Sequence, residues 1–206
     1  MKHADGWLEL RHSQARGTSR LYRQTWLPDD DPRAVIVLAH GLGEHSGRYS
    51  DFARHCTDRG LAVCALDHHG HGKSEGLAGH VERFSVYLDG VRELLARVRD
   101  EHPGRPLFML GHSMGSFIAQ AFAVEFATPL AGLALSGSGW PSRLQTVPGR
   151  LVATIEAWRL GRHGYSKLLD KMGFGAFNKP FEPARTEYDW LTRDEAEVDR
   201  YIADEY

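Results

Sequence analysis

The sequence predicts an α/β fold, a mostly parallel sheet with helices on both faces, and three observations carry that expectation. Short continuous apolar runs recur as far as Leu135, and runs of this kind are strands buried on both faces. Stretches with apolar residues at helical spacing separate them, the alternation that builds a parallel sheet. The third observation is the stretch Leu107-Phe-Met-Leu-Gly-His-Ser-Met-Gly-Ser-Phe-Ile-Ala119, where one such run turns abruptly into a helical pattern.

In chain order, Trp7 to Gln14 and Leu21 to Leu27 read as a strand pair around the turn signal Arg16-Gly17-Thr18-Ser19. Pro28-Asp-Asp-Asp-Pro32 breaks the pattern. Arg33 to Ala39 is rich in β-branched residues and reads as a fully buried parallel strand. Tyr49 to Arg59 has helical spacing, with Gly60 placed to end it. Leu61 to Leu66 is the next buried strand. Phe84, Leu88, Val91, Leu95 and Val98 mark a helix that Pro103-Gly104 stops. The Leu107 strand follows, then a helix to about Phe126 and a sixth strand from Leu130 to Leu135. After Trp140 the texture changes. Val147, Leu151, Ile155 and Trp158 form an apolar stripe with Pro148 near a helix start, and beyond it come glycines and aromatics without a clear strand. The expected organisation is a core over residues 1–139 and a helical cap over 140–206, lying across the strands' C-terminal ends; an ordinary run of core helices is the plainer alternative.

Composition narrows the function classes. Lys and Arg number 25 against 27 Asp and Glu, so no strong field favours nucleic acid. No run is long enough to span a bilayer, and Met1 to Leu10 contains no apolar h-region. The expected location is cytoplasmic, with peripheral membrane contact through the cap. Cys56 and Cys64 read as small buried hydrophobes in a reducing compartment.

The chemistry concentrates in Gly111-His112-Ser113-Met114-Gly115. A strand that reverses into a helix within one residue strains the residue at the tip, and glycines two before and two after leave room for the crossing chains. Ser113 then projects above the sheet as a nucleophile, with the Met114 amide, at a helix N-terminus, aimed at a developing oxyanion. A Gly-rich turn after the third strand, His40-Gly41-Leu42-Gly43-Glu44-His45-Ser46-Gly47-Arg48-Tyr49, offers a second donor, the Leu42 amide. The alternative for that turn is a plain strand-to-helix connection that needs glycine.

Asp67-His68-His69-Gly70-His71-Gly72-Lys73-Ser74 holds two decoys. Its end resembles a phosphate-binding loop, but Asp67 stands where that loop needs glycine, and a carboxylate would repel a triphosphate. Its histidines lack a further ligand at metal-binding spacing, so the turn reads as solvated or hydrogen-bonded and shapes the neighbouring loop. No metal and no cofactor are expected.

Together, the His40 turn, the Asp67 turn and Gly-His-Ser-Met-Gly-Ser resemble the α/β-hydrolase superfamily, within it the monoacylglycerol lipase and lysophospholipase group, also classed with serine aminopeptidase-like hydrolases. Phe177 to Asp194 resembles the cap of bacterial members. The resemblance implies an esterase acting on an acyl-ester lipid such as a monoacylglycerol or lysophospholipid. It implies Ser113 as nucleophile, the Leu42 and Met114 amides as oxyanion hole, and Glu44, Arg48 and His112 as substrate contacts.

The chain departs from the family order of Ser, then Asp, then His. After Ser113 the one histidine is His163, inside the expected cap. The sequence therefore reads as a hydrolase lacking the C-terminal strands with the triad Asp and His, inactive alone, whose sixth strand is an apolar edge open to self-association. The alternatives are a non-catalytic pseudo-hydrolase that binds a lipid or protein, and an acyltransferase or peptidase on the same elbow.

Overall fold

The computed structural model of the chain describes residues 1–14, 17–126, 129–140 and 142–206. They fall into two compact units, Met1–Gly139 with Tyr206, and Trp140–Glu205.

The first unit is built on six strands: β1 (Lys2–Arg11), β2 (Thr18–Leu27), β3 (Ala34–Ala39), β4 (Leu61–Leu66), β5 (Leu107–His112) and β6 (Gly132–Ser136). Their order across the sheet is β1-β2-β4-β3-β5-β6. β1 and β2 pair antiparallel with each other, and β2 pairs antiparallel with β4. The remaining pairs are parallel. β1 starts five residues earlier than its apolar pattern suggested, because register with β2 extends to Lys2 opposite Leu27 and recruits polar residues into an exposed strand. Of the expected hairpin turn, Arg16 lies outside the described residues; Gly17 takes a left-handed φ of 117°.

Helices cover the sheet on both faces, as the alternation predicts. α1 (Ser50–Thr57) packs on one side, where Leu38, Val63 and Ala65 meet Trp26, Ala53 and Cys56. α2 (Ser85–Glu101) and α3 (Met114–Glu125) pack on the other, burying Val35, Val37, Cys64 and Met109 beneath Leu94, Ile118 and Phe122. The period-2 split of β3 between the two layers is the physical reason its sequence is apolar throughout. Both cysteines are free and buried, and burial pushes their thiols up, Cys64 to about 11. The helix expected from Tyr49 to Arg59 is shorter: a 3-10 turn, Ser46–Tyr49, precedes α1, which is capped by Asp58 rather than Gly60, and Gly60 takes φ 73° in the turn beyond. Phe84 precedes α2 and stays exposed, outside the buried stripe. β6 is the edge, and Leu133 and Leu135 on it remain 40% and 42% exposed.

The topology marks one position. From β3 the chain moves outward to β4, then crosses back to β5 on the other side of β3 and on to β6. The crevice outside the C-terminal ends of β3 and β5 is therefore the switch point of the sheet, where open α/β folds place ligands.

The second unit holds α4 (Arg143–Leu160), α5 (Lys167–Phe174), a 3-10 turn at Lys179–Phe181 and α6 (Glu195–Ile202). Pro148 lies inside α4 rather than near its start, since the helix begins at Arg143. A proline favours the first turn, where its missing N–H costs nothing, so its sequence pattern points to a helix start; inside α4 it instead removes one backbone hydrogen bond. The apolar stripe of α4, Val147, Leu151, Ile155 and Trp158, is exposed, from 52% for Ile155 to 88% for Trp158. Its polar side is tied down instead: buried Glu156 accepts hydrogen bonds from Arg159 at 2.9 and 3.0 Å and from the Ser166 hydroxyl. No helix among the described residues is long and apolar enough to cross a membrane.

Candidate active site

Ser113 stands at the switch point, between the last residue of β5 and the first of α3. Its backbone has φ 49° and ψ −118°, and it is the one non-glycine residue with positive φ among those described. A conformation of this kind costs an L-residue about 1–3 kcal/mol and persists only where the surroundings impose it. Here they do. The Ser113 N–H donates to Ser136 O on β6 at 2.9 Å. Its carbonyl accepts from the Ser116 N–H at 2.9 Å and the buried Ser116 hydroxyl at 2.6 Å.

The flanking glycines are required by contact. A Cβ on Gly115 would lie 2.0 Å from Ala39 O and 2.5 Å from His40 O. A Cβ on Gly111 would lie 2.4 Å from Gly115 O. Strand β3, helix α3 and the elbow cross too closely for any side chain. Because Ala39 registers with Gly111, the turns leaving β3 and β5 emerge side by side. A Cβ on Gly41 would come within 3.3 Å of Ser113 Cβ, so the β3 turn abuts the serine.

Of the other residues singled out by sequence, Leu42 is exposed on that turn, and Met114 opens α3. Neither N–H has an acceptor among the described residues. Glu44 is engaged within the turn, where its Oε1 accepts from the Gly41 N–H and, at 2.9 Å, from the Tyr49 hydroxyl. Burial and this carboxylate push the Tyr49 phenol up, so it stays a donor. Arg48 is exposed one turn further on. His112 is half-buried and lies 3.1 Å from Ser136 Oγ through Nδ1. No histidine among the described residues is hydrogen-bonded to Ser113 Oγ.

Sequence reasoning missed the fasteners beneath the site. Asp67 is 1% exposed. Its Oδ1 accepts from the Ser46 N–H at 2.8 Å and the Ser46 hydroxyl at 2.5 Å, and its Oδ2 from the Lys73 N–H at 2.9 Å. It thus bolts the turn after β3 to the turn after β4, and Gly72 is there because a Cβ would strike Asp67 Oδ2 at 2.2 Å. The Lys73 ammonium rests 4.7 Å over the Tyr22 ring.

Of the two expectations for the turn histidines, solvated or hydrogen-bonded, His71 meets the second, with Nδ1 3.2 Å from His69 O. His68 and His71 are buried; they pack edge-on against Tyr87, and His68 lies tilted against buried His40 with centroids 4.3 Å apart. Burial first, then the neighbouring imidazoles, hold His40 well below its ordinary range and bring His68 down to about 3. Both are neutral in the fold. The turn's composition looks polar, but β4 delivers His68, and the turn folds His71, into buried positions, while His69 is half-buried.

The family described as serine aminopeptidase, S33, matches residues 30–206. Monoacylglycerol lipase of Mycolicibacterium smegmatis is 41% identical over 121 residues, 59% of this chain and 43% of its own length. Human monoglyceride lipase is 43% identical over 127 residues, 62% of this chain and 42% of its own. The matched region thus spans about two-fifths of these relatives' length. Among solved structures, a carboxyl esterase from Bacillus coagulans superposes with a TM-score of 0.84 at 24% identity, covering 100% of this chain and 66% of that one. A lipase in its open form gives 0.80 at 26% identity, covering 98% and 67%. The switch-point serine, the glycines packed around it and these relatives agree: the chain belongs to the S33 serine aminopeptidase family of α/β-hydrolases, in its monoacylglycerol lipase-like group.

Proposed function

We propose that this chain carries the nucleophile and oxyanion half of a carboxylic-ester hydrolase site acting on acyl-ester lipids such as monoacylglycerols or lysophospholipids. The observation that carries the reading is the strained Ser113 backbone at the mouth of the sheet, 49° in φ where no other non-glycine residue described is positive. In the reaction, Ser113 Oγ attacks the acyl carbonyl carbon while a general base takes its proton. The negative oxygen of the tetrahedral intermediate is held by the Leu42 and Met114 amides. The intermediate collapses by breaking the ester C–O bond, and the departing alcohol takes the proton from the base. Water then repeats the sequence on the acyl-serine and releases the fatty acid. Glu44, Arg48 and His112 are assigned to the rim that meets the polar head. The exposed apolar residues of α4 are assigned to a lipid surface. The open edge of β6 is assigned to self-association.

No imidazole is hydrogen-bonded to Ser113 among the described residues, and a serine without its base is a poor nucleophile. The 206-residue chain is therefore expected to show negligible ester turnover by itself. The test is labelling with a fluorophosphonate, read by mass. Slow labelling confined to Ser113, accelerated by added imidazole and abolished in Ser113→Ala, supports the reading. Labelling that ignores Ser113→Ala removes it and favours the non-catalytic binding module. Ser113-dependent turnover of a short acyl ester would instead overturn the expected inactivity, and loss of that turnover in His163→Ala would make His163 the base.

A further inference from the structure

We propose that His40 is a positioning residue whose ring holds the Gly41–Leu42 peptide so that the Leu42 N–H faces Ser113. The inference rests on the hydrolase reading and gives the oxyanion donor a cause. His40 follows β3 directly and is fully buried. Its two ring nitrogens meet two different loops: Nδ1 lies 2.8 Å from Gly41 O, and Nε2 lies 2.9 Å from the His68 backbone N.

Those partners determine the tautomer. A backbone N–H can only donate, so Nε2 must be the unprotonated acceptor. The neutral ring then carries its hydrogen on Nδ1 and donates it to Gly41 O. The opposite tautomer would set two donors against each other at Nε2 and two acceptors at Nδ1. Only one neutral form satisfies both contacts.

The consequence passes through a single peptide plane. In a planar trans peptide the C=O and the N–H point in opposite directions. The carbonyl of Gly41 belongs to the same peptide as the N–H of Leu42. Drawing that carbonyl onto the His40 ring turns the Leu42 N–H to the other side. The preceding peptide is held as well, because its Gly41 N–H donates to Glu44 Oε1. Both peptides flanking a glycine, the residue with the most freedom to flip, are thereby clamped. The Cβ position of Gly41 lies 3.3 Å from Ser113 Cβ, so the clamped turn is the one beside the nucleophile. His40 reaches back to β4 through His68, so a rigid sheet strand sets the direction of an exposed loop amide.

Nitrogen NMR of the 206-residue chain tests this. The His40 ring is expected as a neutral imidazole with its proton on Nδ1, and the Leu42 amide proton is expected to show an Overhauser contact to the Ser113 β-protons. His40→Asn keeps a donor near the Nδ1 position and should retain that contact. His40→Gln keeps only the acceptor near Nε2 and should weaken the contact, because the donor that holds the Gly41 carbonyl is gone. A merely structural histidine would give the two variants the same contact. An Nε2-protonated ring in the unsubstituted chain, or an undiminished contact in His40→Gln, overturns the proposal, and the tautomer decides alone if neither variant folds. Neither measurement needs turnover. Ser113 labelling that survives while these tests fail removes the role of His40 only; passing them without any Ser113 labelling removes the hydrolase reading instead.

Discussion

Lowering the pH from 7 to 5 should weaken the first unit through its buried imidazoles. His68 sits at about 3 in the fold against 6.5 as an ordinary imidazole, held down by burial and then by His71. Its folded value is below its unfolded one, so the unfolded chain takes up the proton first. The contribution of His68 is complete above pH 6.5, falls as the pH drops, and levels off near the folded value. Each such group costs about 1.4 kcal/mol per pH unit inside that window, so His68 alone removes about 2 kcal/mol between pH 7 and 5. His40 is buried and shifted the same way, so it deepens the loss, and even the share of His68 is a large part of the roughly 5–15 kcal/mol of an ordinary domain. His69 and His71 are lowered too and act in the same direction. Carboxylates held below their usual range, such as Glu101 beside Arg23 and Arg97, start to matter only as the pH falls through about 4.5. The window from 7 to 5 therefore belongs to the histidines. Urea unfolding followed by circular dichroism at pH 7, 6 and 5 measures it, and His68→Phe should remove the share of about 2 kcal/mol that His68 contributes. An unfolding midpoint that does not move between pH 7 and 5, or a His68→Phe protein with the full slope, would refute the reasoning.

Three substitutions test the geometry around the serine. Ser113→Gly relieves the positive φ and should stabilise the fold by about 1–3 kcal/mol, whereas Ser113→Ala keeps the strain and should not; urea midpoints compare them. Gly115→Ala drives a methyl to 2.0 Å from Ala39 O and should cost more than about 3 kcal/mol, read as loss of cooperative unfolding. Asp67→Asn leaves an amide NH2 facing a donor at either Ser46 or Lys73 and should cost about 3 kcal/mol, while Asp67→Ala costs at least as much by stranding all three donors. Equal stability of Asp67→Asn and the parent protein would mean that the two turns are not fastened there.

Much of this arrangement is legible in the chain because it is local. Ile36 and Leu38 face one layer while Val35 and Val37 face the other, and a six-residue strand states that in its own composition. The glycines at 111 and 115 are equally local, since the elbow's crowding arises between residues a few positions apart. The apolar stripe of α4 was readable too, yet its Pro148 was misplaced, because a proline reads as a helix start unless packing or length extends the helix past it.

What the sequence by itself determined is the order of strands and helices and the place where one strand must break into a helix around Ser113. Periodicity and glycine spacing are properties of neighbouring residues, and they survive without any knowledge of the fold. What only the tertiary structure decided is how that serine is surrounded. Asp67 reaches Ser46 across 21 positions and His40 meets His68 across 28, contacts made when the sheet sets β3 beside β4. Nothing in a run of three histidines distinguishes a wetted turn from one carried into the core. Burial and the pairing of strands make that choice, and with it the charge state of the imidazoles and the contact of the His40 ring with the Gly41 carbonyl.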